Sequence, residues 1–196
     1  MKGRESGMPD ASDWETFFNP RCILERMDCV GPCGDVVEFG CGYGTFTIPA
    51  AELVTGRILG LDIEPEMVAA TARKATEAAL PNVATEVRDF VATGCGRADE
   101  SVGYVMLFNI LHIEHPVGLL REAFRVLVPG GCAGIINWRS DIPTPRGPSL
   151  TIRPTAEQCR AWSEEAGFEF VRDESLCCCS WHWGIVMRRP IRPSPS

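Results

Sequence analysis

No stretch of this 196-residue sequence approaches the roughly 20 consecutive apolar residues of a membrane span, and the opening dozen, MKGRESGMPDAS, lack the apolar core of a signal peptide. A soluble, cytosolic protein without a membrane partner is expected. Positive charge is also short. Nineteen Lys and Arg against 26 Asp and Glu leave a net charge of −7, which argues against a nucleic-acid partner, because that affinity comes mainly from neutralising phosphates. The ten cysteines contain no C-x-x-C pair and no spaced histidine to match one, so no metal site is expected. They are expected as free thiols in a reducing compartment. Cys22, Cys29 and Cys33 read as small core hydrophobes, and Cys177, Cys178 and Cys179, being consecutive, cannot easily all face one tetrahedral ion. Internal repeats are absent, and 19 Gly with 15 Pro suffice for turns but not for a low-complexity chain.

What is present is enough apolar residue, 45% of a chain of this length, to close one core. We expect a single domain over 1–196, made of an N-terminal helical cap (1–33), an α/β core (34–189) and a disordered tail (190–196). Trp14, Phe17, Phe18, Ile23, Leu24 and Met27 recur at roughly helical spacing through 14–30, and Pro20 suits a first helical turn after Asn19. From residue 35 short apolar runs alternate with amphipathic helices, the pattern of parallel βαβ units. Strands are predicted at 35–39, 57–61, 83–87, 102–108, 132–138, 168–173 and 182–187, and helices at 45–54, 65–80, 117–127 and 155–166. Pro129-Gly130-Gly131 is read as the stop of the third of these and the turn into a strand. Residues 140–153, with three prolines and Gly147, form a long loop of the kind that often carries function.

The chemistry concentrates where the first strand, Val36-Val37-Glu38-Phe39, runs into Gly40-Cys41-Gly42-Tyr43-Gly44. Glycines there permit positive φ and close approach of a ligand. The end of a first parallel strand is also where nucleotides bind in open α/β sheets. The dinucleotide fingerprint would need glycine at position 45, which is Thr45. That disfavours a nicotinamide oxidoreductase and suits a nucleoside without a pyrophosphate. The second strand ends on Asp62, able to accept from both ribose hydroxyls, and the third is followed by Asp89.

These motifs, VVEFGCGYG, GLDIEPEMV, VRDF and LFNILH followed by LLREAFRVLVPGG, resemble the class I S-adenosylmethionine (AdoMet)-dependent methyltransferases, in particular the small-molecule branch of the ubiquinone/menaquinone-biosynthesis type. The resemblance runs from about residue 35 to 138. It implies a Rossmann-like, seven-stranded, mostly parallel sheet with the last strand antiparallel and helices on both faces. It also implies that Glu38, Gly40, Cys41, Gly42 and Gly44 form the cofactor loop, that Asp62 holds the ribose and Ile63 lies against adenine, that Asp89 and Phe90 meet its far edge, and that Asn109 borders the methionine portion.

In that topology the loops after the later strands converge beside the cofactor. Trp14, Phe18, Trp138, Arg139, Arg146 and His182 are the candidate acceptor contacts, and His112 is the candidate general base, since imidazole titrates near neutrality. Arg139 could equally close on Asp141 as an ion pair, and His112 could serve only to shape its turn. The expected activity is methyl transfer to a small molecule of unidentified structure. A protein or RNA methyltransferase, or a non-catalytic AdoMet-binding sensor or scaffold, are the alternatives.

Overall fold

A computed structural model describes residues 10–191. The expected disordered tail lies outside the described residues from position 192 on, as does most of the polar opening.

Seven strands, β1 (Val36–Phe39), β2 (Ile58–Asp62), β3 (Val83–Val87), β4 (Val102–Phe108), β5 (Leu127–Trp138), β6 (Glu169–Glu174) and β7 (His182–Arg188), form one sheet in the order β3-β2-β1-β4-β5-β7-β6. All pairings are parallel except those of β7, which runs antiparallel to both β5 and β6. The chain therefore winds outward from β1 in both directions. The switch point, where a crevice opens beyond the strand ends, lies between β1 and β4.

Among the described residues seven α-helices accompany the sheet: α1 (Ala11–Glu15), α2 (Pro20–Arg26), α3 (Thr47–Leu53), α4 (Pro65–Glu77), α5 (Phe90–Thr93), α6 (Pro116–Val126) and α7 (Ala156–Glu165). Side chains alternate across each strand, and the two faces feed two cores. Val37, Phe39, Leu59, Val105 and Ile135 pack with Leu119, Leu120 and Ala123 of α6 and Cys159 of α7. Val36, Ile58, Tyr104, Met106 and Ile136 pack instead with Ile23, Leu24, Phe46 and Ala50. Burial on both faces explains why β4 reads as a nearly continuous apolar run and why β1 is interrupted only by the buried Glu38.

Three expectations need correction. The cap is two helices rather than one periodic stretch. Asn19 interrupts it and caps α2 by accepting from the Cys22 N–H at 3.3 Å. Pro129-Gly130-Gly131 does not stop α6, which ends at Val126; the tripeptide lies inside β5. There Gly130 adopts φ +84° and the pairing with β4 jumps from Val102/Leu127 to Tyr104/Cys132, so the extra residues loop out as a bulge that glycine tolerates. The cysteines are not all free, because Cys22 and Cys178 form a disulfide. Packing creates it: α2 lies on the β6/β7 hairpin, where Arg26 pairs with Glu174 at 2.9 Å and Arg172 donates to the Arg26 carbonyl at 2.7 Å. That docking brings residues 156 positions apart to a Cα separation of 6.5 Å, within bridging reach. The other eight cysteines are free.

Candidate functional site

The crevice at the switch point holds a cavity of about 400 Å³, within the range of small-molecule sites. One side begins at the turn after β1. Gly40, Gly42 and Gly44 have φ of +86°, +51° and +77°, a left-handed path that side chains with a Cβ resist. The turn is tied to β2: the N–H groups of Gly40 and Cys41 both donate to the Leu61 carbonyl at 2.8 Å. Thr71 of α4 donates to the Gly42 carbonyl at 2.9 Å. Gly40, Cys41 and Gly42 line the cavity, as does Glu38. Gly44 does not. It stands behind the turn, where an added Cβ would come within 3.1 Å of Thr71 and 3.2 Å of Ile48.

Asp62, the last residue of β2, reaches across the turn. Its Oδ2 accepts from the Gly42 N–H at 2.9 Å and its Oδ1 from the Glu64 N–H at 3.0 Å, which fixes the carboxylate at the cavity wall. Ile63, Asp89 and Phe90 continue that wall. Asp89 also caps the short α5, accepting from the Ala92 N–H at 3.1 Å. Glu38 is 2% exposed and accepts from the Thr47 hydroxyl. Burial pushes its carboxyl up to about 8, the hydrogen bond from Thr47 opposes that, and the charge of Asp62 adds to it.

Beyond β4 the backbone turns at Asn109, whose φ is +57°. Both polar atoms of its side-chain amide, and the hydroxyl of Thr45, are buried at the cavity without a hydrogen-bond partner. Buried polar groups are costly unless satisfied, so these atoms mark where a polar ligand belongs. His112, in the turn leading to α6, is buried and lines the same cavity.

The far side, beyond β5, is aromatic. Trp14 of α1 and Trp138 at the end of β5 pack edge to face with ring centroids 6.2 Å apart, and Phe46 meets Phe108 at 4.9 Å. These four line the cavity together with Arg146, Gly147 and Pro148. Phe18 and His182 stand one layer back. The His182 ring lies 4.1 Å from that of Trp138 and 4.7 Å from that of Phe18, and its Nδ1 is 2.9 Å from the Cys179 thiol. Burial drives His182 down to about 3, with the nearby charge of Arg153 acting in the same direction. Arg139 points away and closes on Asp141 through two contacts of 2.9 and 2.6 Å, the ion-pair option that its spacing left open.

Two residues that shape the candidate site were not among the expected contacts. Thr45 follows the third glycine, a position legible from the turn itself. Arg153, 9% exposed, organises the loop 139–148: its guanidinium donates to the carbonyls of Pro148 at 2.7 Å, Arg139 at 2.9 Å and Arg146 at 3.1 Å, and to the Thr144 hydroxyl at 2.7 Å. No motif encodes that arrangement.

Comparison with known proteins agrees with this geometry. Residues 36–131 match the family described as a methyltransferase domain. The chain is 40% identical over 136 residues to nocamycin O-methyltransferase of Saccharothrix syringae, covering 67% of this chain and 48% of that protein. It is 27% identical over 154 residues to ribosomal protein L11 methyltransferase of Aliivibrio salmonicida, covering 74% of this chain and 48% of that one. The chain thus spans about half the length of these curated relatives. A solved SAM-dependent methyltransferase from Aquifex aeolicus shares the fold, with a TM-score of 0.79 at 21% identity over 92% of this chain and 94% of that one.

Proposed function

Since the chain carries a class I, Rossmann-like methyltransferase domain, we propose that it transfers the methyl group of AdoMet to a small-molecule acceptor. One observation carries this reading: the turn of alternating glycines and the carboxylates at the tips of β2 and β3 line a single cavity together with the unsatisfied polar atoms of Thr45 and Asn109.

The residues fit the cofactor. Each carboxylate oxygen of Asp62 accepts more than one hydrogen bond, so its bonds to Gly42 and Glu64 orient it and leave capacity for ribose hydroxyls. Ile63 and Phe90 supply apolar cover for adenine beside Asp89. Glu38, Thr45 and Asn109 face the amino-acid portion, whose ammonium and carboxylate match an acid, a hydroxyl and an amide. Bound there, AdoMet supplies a methyl already activated by its positive sulfur, and the surrounding carboxylates favour that charge. The protein's chief remaining task is alignment, which can supply roughly 7–11 kcal/mol. We assign to His112 the proton of a neutral hydroxyl acceptor, a contribution of about 10²–10⁴-fold.

A protein acceptor is the second reading, favoured by the similarity to ribosomal protein L11 methyltransferase. Two experiments test these. Calorimetric titration with S-adenosylhomocysteine is expected to give saturable binding, weakened at least about tenfold by Asp62→Ala, and absence of binding by the wild type rejects the proposal. Radiolabelled AdoMet incubated with fractionated extract is expected to label small molecules, with His112→Gln slowing transfer to neutral hydroxyls. Label confined to protein selects the second reading, and no label in any fraction leaves a binding protein without transfer.

A further inference from the structure

The cavity is electrically divided. Following the sheet order, its carboxylates Glu38, Asp62, Glu64 and Asp89 all belong to segments at the tips of β1, β2 and β3, and Arg88, which lines the same side, is offset by Glu86 at 2.6 Å. Among the described residues that line it, no carboxylate stands at the β5 end. That end is framed by the indoles of Trp14 and Trp138 and carries Arg146. Behind it lies Arg153, buried, with its guanidinium bonded only to carbonyls and a hydroxyl and paired with no carboxylate among the described residues. Its charge is stabilised by those acceptors and by the Trp138 ring 5.8 Å away rather than cancelled by a carboxylate, so this end keeps a positive field.

Arg146 is positioned to act directly. Its one ion pair among the described residues, with Asp13, is loose at 3.9 Å, and both side chains are more than half exposed. A solvated pair of that kind is worth little, so a ligand carboxylate offering two parallel N–H···O bonds displaces it readily. The aromatic wall alone would accept either an organic cation over its ring faces or a flat conjugated ring. The two arginines decide between them, because a cation placed there meets like charge in a low-dielectric cleft.

From this division, and resting on the methyltransferase reading above, we propose that the acceptor is a planar, conjugated oxyanion, an aromatic carboxylate or an ionised phenol or enol, docked against the aromatic wall with its charge directed to Arg146. An acceptor already ionised balances the transfer without a base, and the proton assigned to His112 above is that of an acceptor arriving as the neutral hydroxyl. An oxygen lone pair of the acceptor forms the new carbon–oxygen bond as the carbon–sulfur bond breaks and leaves its electron pair on sulfur. The negative charge of the acceptor and the positive charge of the sulfonium disappear together, giving a neutral ester or ether and S-adenosylhomocysteine.

The test uses 2-naphthoate, its neutral isostere 2-naphthamide, and the cation 2-naphthylmethylammonium, titrated calorimetrically into the full chain with and without saturating S-adenosylhomocysteine. Naphthoate is expected to bind at least about tenfold more tightly than the amide, with the cation weakest. Arg146→Gln is expected to abolish that preference, while Arg139→Gln, which alters an exposed pair away from the cavity, keeps it. Both side chains are solvated, so folding is not at stake, and unchanged S-adenosylhomocysteine affinity in each variant checks this. Equal or stronger binding of the amide or the cation, or a preference that survives Arg146→Gln, overturns the proposal. Loss of S-adenosylhomocysteine binding in the wild type would instead sink the methyltransferase reading, and the titrations without it still decide the charge preference.

Discussion

Glu38 joins the chemistry of the site to stability at a single residue. Its folded value of about 8 lies above that of an exposed carboxyl, so the folded state holds a proton that the unfolded chain releases. Its contribution to stability is complete below about pH 4.5 and is lost progressively as pH rises through 8. Glu38→Gln is therefore expected to raise the melting temperature by about 3 °C or more at pH 9, with the gain shrinking towards pH 4.5; calorimetry that finds no pH dependence in this difference contradicts the reading. The same proton should leave when a cation enters the cavity. At pH 7, titration of AdoMet in buffers of different ionisation enthalpy is expected to report up to about one proton released, and close to none in the Gln variant. The glutamate and the glycines were legible in the sequence because φ and charge are local demands. Gly44 was read as ligand-facing and proves to face Thr71 and Ile48, since spacing fixes backbone conformation but not which side of a turn meets solvent. The organising role of Arg153 was not legible for a different reason: its partners are backbone oxygens and a hydroxyl, which every sequence contains.

Among the elements, periodicity located every strand to within a few residues except β5, where it missed the bulged beginning. A Pro-Gly-Gly triplet ordinarily marks a turn, and here the left-handed Gly130 is absorbed into a ladder long enough to tolerate it. The short α5 was missed because four residues held by Asp89 show no period. The cap was legible as helical but not as two pieces, and its covalent tie to the β6/β7 hairpin could not be read at all, since Cys22 and Cys178 meet only through tertiary docking. That tie carries a direct test. Alkylation of the denatured, unreduced protein is expected to label eight cysteines, and ten after reduction. Cys22→Ser with Cys178→Ser should lower the melting temperature by roughly 5–10 °C, from a typical 2–4 kcal/mol per bridge. Ten labelled thiols before reduction would show the bond absent in solution.

For the whole molecule, the acid side of the stability profile is set by groups held below their ordinary values. His182 sits near 3 through burial, so stability is intact above the unfolded imidazole value of about 6.5 and is lost as pH falls towards 3. Glu122, drawn down to about 2 by its hydrogen bonds from Arg125, adds a loss that begins below about 4.5. The melting temperature is expected to fall by roughly 5 °C or more between pH 7 and 4, and His182→Phe should flatten the portion above 4.5; a profile unchanged by that substitution removes His182 as its cause. No helix among the described residues is long and apolar enough to cross a membrane. The reversed direction of β7 has a practical corollary. It starts opposite Trp138 and finishes opposite Cys132, carrying the polypeptide about 20 Å from the aromatic end of the crevice to the remote rim of the sheet. A dye, affinity handle or immobilising linker joined after residue 191 is thus kept clear of the chemistry, whereas one joined ahead of Asp10 arrives within a few residues of the indole of Trp14.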